Sequence, residues 1–345
     1  MTRKHSPLEI QGELPITLPP PLGVSGGASV LDLFAGIGGL SSGFGRVGFE
    51  VTGVDREPLA ATVFESSGFG VARTCDLATD DAFQDAAVLL GGPPCRPWSS
   101  VNLQRRRGAH GDHMLLSRFF VHVNEIRPAI FVMENVPALG SDVAYTDCID
   151  ALRRSEYNIA STIVRYEEYG APTRRRRLFT VGIRKSRVGA RAFLDELAAT
   201  SKTAQRHNVR DAIEWLRDKK CGEVLDHDWS ELKSIGNYRH LYESGKYGWA
   251  RLDYAEPAPS FGSVAKTYIL HPESGIDGFD ERVVSVREVM AIMGFDLSVA
   301  FPAKTSRTKR YQMVANTVSP YVSRAIASVA LYFLTGARCG TEGSV

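Results

Sequence analysis

The group in this chain best suited to nucleophilic chemistry is a thiol held out on a stiff, cationic turn. In Val88-Leu-Leu-Gly-Gly-Pro-Pro-Cys95-Arg-Pro-Trp-Ser99, the apolar run Ala87 to Leu90 reads as a buried strand, broken by Gly91-Gly92-Pro93-Pro94. Each proline fixes its own φ and restrains its predecessor, so the chain leaves the sheet extended and rigid. Arg96 follows Cys95, and a neighbouring cation lowers a thiol pKa and raises its thiolate fraction. The same residues also allow a structural cysteine in a proline-rich loop. A second candidate is Glu134, which ends the apolar run Ala129-Ile-Phe-Val-Met133. Open α/β sheets place their sites at the carboxyl ends of central strands; a turn acid or helix cap is the alternative reading.

These groups need a scaffold, and the pattern around them supplies one. Ser29 to Phe34 reads as a buried strand running into Ala35-Gly36-Ile37-Gly38-Gly39, with Leu40 to Val47 helical. Glycines at such a turn let a ligand approach the backbone and face the positive end of the helix. A strand from Phe49 to Val54 ends at Asp55, placed to take a ribose hydroxyl pair. Pro58 to Ser66 reads as a helix and Gly70 to Thr74 as a strand. Asp76 just beyond could accept from an adenine amino group or cap the next turn. Leu116 to Ile126 has helical spacing and stops before Pro128. Val143 to Arg154 reads as helix, with Ile159 to Tyr166 and Leu178 to Ile183 as strands. Alternating strands and helices predict an α/β fold with a doubly wound, mostly parallel sheet.

After Lys185 that rhythm is lost. Asp211 to Lys219 and Val283 to Met293 read as helices, and Tyr321 to Leu334 as an amphipathic final helix. Trp215, Trp229, Tyr238, Tyr242 and Tyr247 lie among charges, which fits either a nucleic-acid surface or a small domain packing its own aromatics. The expected division is a loose leader (1–28), a large domain (29–185 with 312–338), a small domain (186–311) and a tail (339–345).

The 345 residues carry a formal charge of only +2, so overall charge names no partner. The clusters Arg105-Arg106-Arg107 and Arg174 to Arg177, taken singly, read as solvated surface. Five cysteines in an odd, scattered set argue for a reducing compartment and against a disulfide frame. His110 and His113 lack further ligands at zinc spacing, so no metal is expected. Without a membrane-length apolar run or a signal-peptide core, the expectation is a cytoplasmic, nucleoid-associated protein.

Six segments in order, Asp32-Leu-Phe-Ala-Gly-Ile-Gly-Gly-Leu40, Gly92 to Ser99, Met133-Glu-Asn-Val136, Tyr169 to Arg177, Ser285-Val-Arg-Glu288 and Asn316-Thr-Val-Ser-Pro320, resemble the DNA (cytosine-5) methyltransferase family. The resemblance implies two lobes with a cleft between, the smaller for target recognition, and S-adenosylmethionine as cofactor. It implies that Phe34, Gly36 and Gly38 line the adenine and methionine moieties, Asp55 takes the ribose and Asp76 the adenine amine. Pro94 and Leu115 would also contact the cofactor, with Asn316, Thr317 and Val318 closing its methionine end. Asp55 stands where the family usually has Glu, Thr173 where it has Gln, Arg176 where it has Glu, and Ala315 where it has Gly. The Cys-Phe-Thr signature of the tRNA-modifying branch is absent, which leans toward DNA.

Cytosine C5 is a poor nucleophile, and attack of a thiolate at C6 makes it enamine-like. Cys95 would attack, Glu134 would protonate or hydrogen-bond N3, and Arg177 with Arg175 would hold O2 and orient Glu134. The base must leave the duplex to be reached. Arg96, Ser99 and Arg105 to Arg107 would contact phosphates from a flexible basic loop. The expected enzyme is a monomer acting on a specific sequence in double-stranded DNA, with a cognate restriction endonuclease as a further partner. Competing readings are an RNA (tRNA) cytosine-5 methyltransferase, a binding-only regulator on the same fold, and a nicotinamide dehydrogenase. The last leaves Gly92-Pro-Pro-Cys95 without a role.

Overall fold

Alternation of side chains along the central strands decides which helix covers which face of the sheet. The computed structural model describes residues 27–94, 110–185, 189–229, 235–245, 249–262 and 269–336, and only the backbone of 110–113. Strands β1 (Ser29–Leu33), β2 (Glu50–Asp55), β3 (Val71–Thr74), β4 (Val88–Gly91), β5 (Ile130–Asn135), β6 (Tyr157–Arg165) and β8 (Arg176–Arg184) form one sheet, ordered β3-β2-β1-β4-β5-β8-β6. The two-residue β7 (Thr173–Arg174) precedes β8 and pairs instead with β10 (Ala258–Pro259).

Val30, Val88, Leu90, Ile130 and Val132 point to one face and join the core of helices α1 (Gly39–Val47), α2 (Pro58–Ser66), α5 (Ala190–Thr203) and α10 (Pro320–Thr335). Leu31, Leu33, Leu89, Phe131 and Met133 point to the other face, under α3 (His110–Ile126) and α4 (Val143–Ser155). This is the period-2 pattern of strands buried on both sides. A fully buried side chain of this kind, such as Phe131, contributes about 1.5–3 kcal/mol. Gly182 leaves room for that ring: a Cβ there would stand 2.0 Å from Phe131 Cε1.

The first five strands are parallel, as the alternation predicts. β8 runs antiparallel to both β5 and β6. That reversal brings the amino end of β8, with Arg175–Arg177 nearby, to the carboxyl end of β5. A parallel strand would carry the arginines to the far edge.

Beyond β8 the helix predicted over Asp211 to Lys219 is shorter: α6 (Val209–Ile213) ends in a 3-10 turn at Glu214–Leu216, after an Asn208–Asp211 capping box. The helix predicted from Val283 begins at Val286 (α8, Val286–Met293), because Val283 is bridged to Leu270 in a strand-like contact. The Ser285–Glu288 segment proves to be an anchor. Ser285 caps α8, Arg282 donates twice to the buried Glu288 carboxylate at 2.8 and 2.7 Å, and Arg287 donates to the carbonyls of Leu225, Asp296 and Val299. These bonds compensate charges whose unpaired burial would be costly. No described helix is long and apolar enough to cross a membrane.

Candidate active site

At the end of β1 the chain turns sharply, and Phe34 adopts a left-handed conformation (φ 62°) that a bulky side chain rarely takes. Ala35 N–H donates to Val54 O at 3.0 Å, fastening the turn to β2. Asp55, at the end of β2, receives Gly36 N–H on Oδ2 and Glu57 N–H on Oδ1, both at 2.9 Å. One carboxylate thus shapes two turns. Burial pushes its pKa up while those two amide donors pull it down. An ionised carboxylate has about four acceptor sites, so lone pairs remain for a ligand hydroxyl.

The glycines of the turn have separate jobs. Gly36 (φ 56°) faces open space, so backbone lies bare on the wall of a cavity of about 550 Å³. Gly38, expected with Phe34 and Gly36 to line the adenine and methionine moieties, is not on that wall. It precedes α1 in left-handed geometry, where a Cβ would come within 2.5 Å of Phe69 and 2.8 Å of Phe64. Gly39 abuts the C-terminal region: a Cβ there would stand 1.9 Å from Thr317 Oγ1 and 2.2 Å from Val318 O.

The cavity brings together most of the residues singled out from the sequence. Phe34, Asp55, Asp76, Pro94 and Leu115 line it, as do Asn316, Thr317 and Val318. Asp76 does cap its turn, accepting Ala78 N–H at 3.0 Å on Oδ1, while also standing on the wall. The two readings of that residue are compatible. Glu134, Arg175 and Arg177 line the same space, whose size suits a small-molecule site. Cys95, the next residue after Pro94, lies outside the described residues, as do Arg96, Ser99 and Arg105–Arg107. Among the described residues no cluster of side chains could hold a metal ion.

Glu134 is only 8% exposed, and its Oε1 lies 3.0 Å from Arg177 Nε without hydrogen-bond alignment. Arg175 is buried and donates to Phe261 O at 3.3 Å. Burial pushes its pKa down, and the neighbouring Arg177 cation adds to that. Thr173, in the place where Gln was expected, is fully buried and donates to Pro259 O at 3.4 Å, so it serves the β7–β10 contact.

Four contributors escaped sequence reasoning. Asn135 Nδ2 donates to Pro93 O at 3.1 Å, pinning the turn that leads to Cys95; its position beside Glu134 was the available signal. Asp32 is buried on the wall, receives the Ser41 hydroxyl at 2.6 Å, and has its pKa raised by burial to about 7. Lys309 and Glu57 pair at 2.5 Å beside the cavity, from segments about 250 residues apart that no local pattern connects.

Residues 28–331 match the family model described as C-5 cytosine-specific DNA methylase. Among curated proteins, the Type II methyltransferase M.HgiDI of Herpetosiphon aurantiacus is 29% identical over 301 residues, covering 84% of this chain and 89% of the relative. The Type II methyltransferase M1.HphI of Haemophilus parahaemolyticus is 28% identical, covering 87% and 86%. Among solved structures, S. pombe Dnmt2 methyltransferase superposes with a TM-score of 0.69 at 16% identity, covering 89% of this chain and 99% of that one. A prophage DNA modification methyltransferase structure (E. coli) gives 0.67 at 22% identity, covering 90% and 100%. At those identities the two structures speak for the fold.

Proposed function

Since the chain belongs to the C-5 cytosine-specific DNA methylases and so methylates DNA cytosine at C5, we propose that it modifies a specific duplex sequence with S-adenosylmethionine as donor, through Cys95 and Glu134. The supporting observation is the single cavity whose wall runs from the Phe34–Gly36 turn and Asp55 to Glu134 and Arg177. Its residues suit the donor: bare backbone at Gly36, a carboxylate for the ribose at Asp55, another for the adenine amine at Asp76, and Leu115 for the ring. When bound, the donor supplies a methyl group on a sulfonium sulfur.

The protein's own groups do the rest. The base is swung out of the helix into the cleft, where the Cys95 thiolate forms a bond to C6. Glu134 donates a proton or hydrogen bond to N3, so the electron pair displaced from the ring is not left as a bare anion. Arg177 holds O2 and the Glu134 carboxyl together. After transfer, loss of the C5 proton re-forms the ring double bond and expels Cys95 as thiolate. The small domain, 186–311, would read the sequence, and Arg96, Ser99 and Arg105–Arg107 would grip phosphates. The relatives' Type II standing supports a role in modification, with a cognate endonuclease acting on the same site.

The test is a duplex carrying 5-fluorocytosine throughout. Fluorine replaces the departing proton, so elimination cannot occur and a covalent protein–DNA adduct should accumulate, one per active enzyme, with its mass on a peptide containing Cys95. DNA binding without an adduct would refute the covalent route. Parallel methyl incorporation into unmodified DNA and tRNA should favour DNA; incorporation into tRNA alone would move the reading to RNA.

A further inference from the structure

Two arginines face each other, with no acid between them, at the edge of the sheet that carries the cavity. In the antiparallel β6–β8 pair Arg165 lies directly opposite Arg176, and both are exposed. Tyr166 N–H donates to the Arg175 carbonyl at 2.9 Å, so that neighbouring pair is hydrogen-bonded and Arg165–Arg176 is the narrow kind, with Cα atoms about 4.5 Å apart. Like charges directly opposite on a sheet are destabilising. Neither guanidinium has an ion pair among the described residues, whereas the adjacent Arg174 and Arg177 lie 3.8 and 3.0 Å from Glu256 and Glu134. β6 ends and β8 begins at the edge where β5 ends in Glu134 and Asn135. Arg175 and Arg177 line the cavity, so the two-residue period of a strand turns Arg176 out of it, onto the surface alongside.

Resting on the reading of the chain as an enzyme acting on duplex DNA, we propose that Arg165 and Arg176 together hold one backbone phosphate beside the extruded base. A base swung into the cavity leaves its flanking phosphates outside, where side chains alternating with Arg175 and Arg177 meet them. Guanidinium groups donate in pairs to phosphate oxygens, and the anion removes the repulsion between the two cations. The free protein thus carries a cost that a bound polyanion offsets. Such a contact positions the duplex and carries no sequence information. The Glu usual at the Arg176 position in the family would repel a phosphate, so the site belongs to this chain.

The test measures binding of a labelled, mixed-sequence duplex to the full-length protein at several salt concentrations. In the double variant Arg165→Gln/Arg176→Gln, Kd at low salt should rise about tenfold. The slope of log K against log salt should become shallower by about 1, the mark of one lost phosphate contact. KM for DNA should rise in step, while kcat at saturating DNA stays within about twofold of wild type. Arg176→Glu sets a carboxylate opposite Arg165, so its Tm should exceed that of wild type while its DNA affinity falls at least as far. Arg154→Gln removes an exposed charge from the last turn of α4, at the other end of β6, and should change neither binding nor slope. A loss as large from Arg154→Gln, or an unchanged slope in the double variant, would overturn the proposal. So would a Tm below wild type in Arg176→Glu. A wild-type protein that binds no duplex would overturn the functional reading as well.

Discussion

Cys95→Ala abolishes methyl transfer, by at least about 10⁴-fold as expected for removal of a nucleophile, and leaves donor affinity unchanged. The first effect follows from the chemistry: without sulfur at C6, C5 never gains the electron density to accept a methyl group. The second follows from the cavity, where the wall proposed for the donor is built from the ends of β1 and β2, the segment after β3, α3 and the Asn316–Val318 turn and does not depend on Cys95. Radiolabelled transfer to DNA checks one, and calorimetric titration with S-adenosylmethionine the other. Near-normal turnover by the alanine variant would remove Cys95 from the mechanism.

Glu134→Gln is the second large effect. The amide keeps the shape and can still donate one hydrogen bond, but it cannot deliver and recover a proton, so kcat should fall about 10²- to 10⁴-fold. A stability cost accompanies it. Glu134 is the acid paired with Arg177, next to the buried Arg175. Neutralising it leaves two cations facing one space, a loss of up to about 3 kcal/mol. Steady-state kinetics and thermal denaturation report the two parts separately. A drop in Tm with kcat unchanged would make Glu134 a structural partner of the arginines and nothing more.

Much of this arrangement was legible before any coordinates. The short, uninterrupted apolar runs Val88–Leu90 and Ile130–Met133, cut off by turn residues, suited strands covered on both faces, and Asp55 and Glu134 stood at strand ends where such sheets bind ligands. What stayed hidden depends on contacts that sequence spacing does not encode. Strand direction is one: Leu178 to Ile183 reads as a strand either way, and only its neighbours force it antiparallel. The glycine turn is another, since Gly36 and Gly38 look alike in sequence, yet one meets open space and the other Phe64 and Phe69. A helix began later than its pattern where a tertiary contact took its first residues, as at Val283, held by Leu270. Arg165 carried no signal at all; only its place opposite Arg176 sets it apart.

The close packing of α1 on α10 bears on how the protein is made. Gly43 N–H donates to Ser323 Oγ at 2.9 Å across 280 residues of chain, and Gly39 is pressed on Thr317 and Val318. Closing so long a loop is thermodynamically cheap, because the entropic cost rises only as the logarithm of its length, but it must await the partner. A nascent chain on the ribosome therefore exposes its glycine turn without a roof until residues 316–335 have emerged. Stalled chains ending before Asn316 should fail to retain radiolabelled donor, whereas those extended past Thr335 by a tunnel-length linker should hold it. Retention by the shorter chains would show that the roof is dispensable. With the roof required, donor retention arrives in one step, when residues 316–335 leave the ribosome.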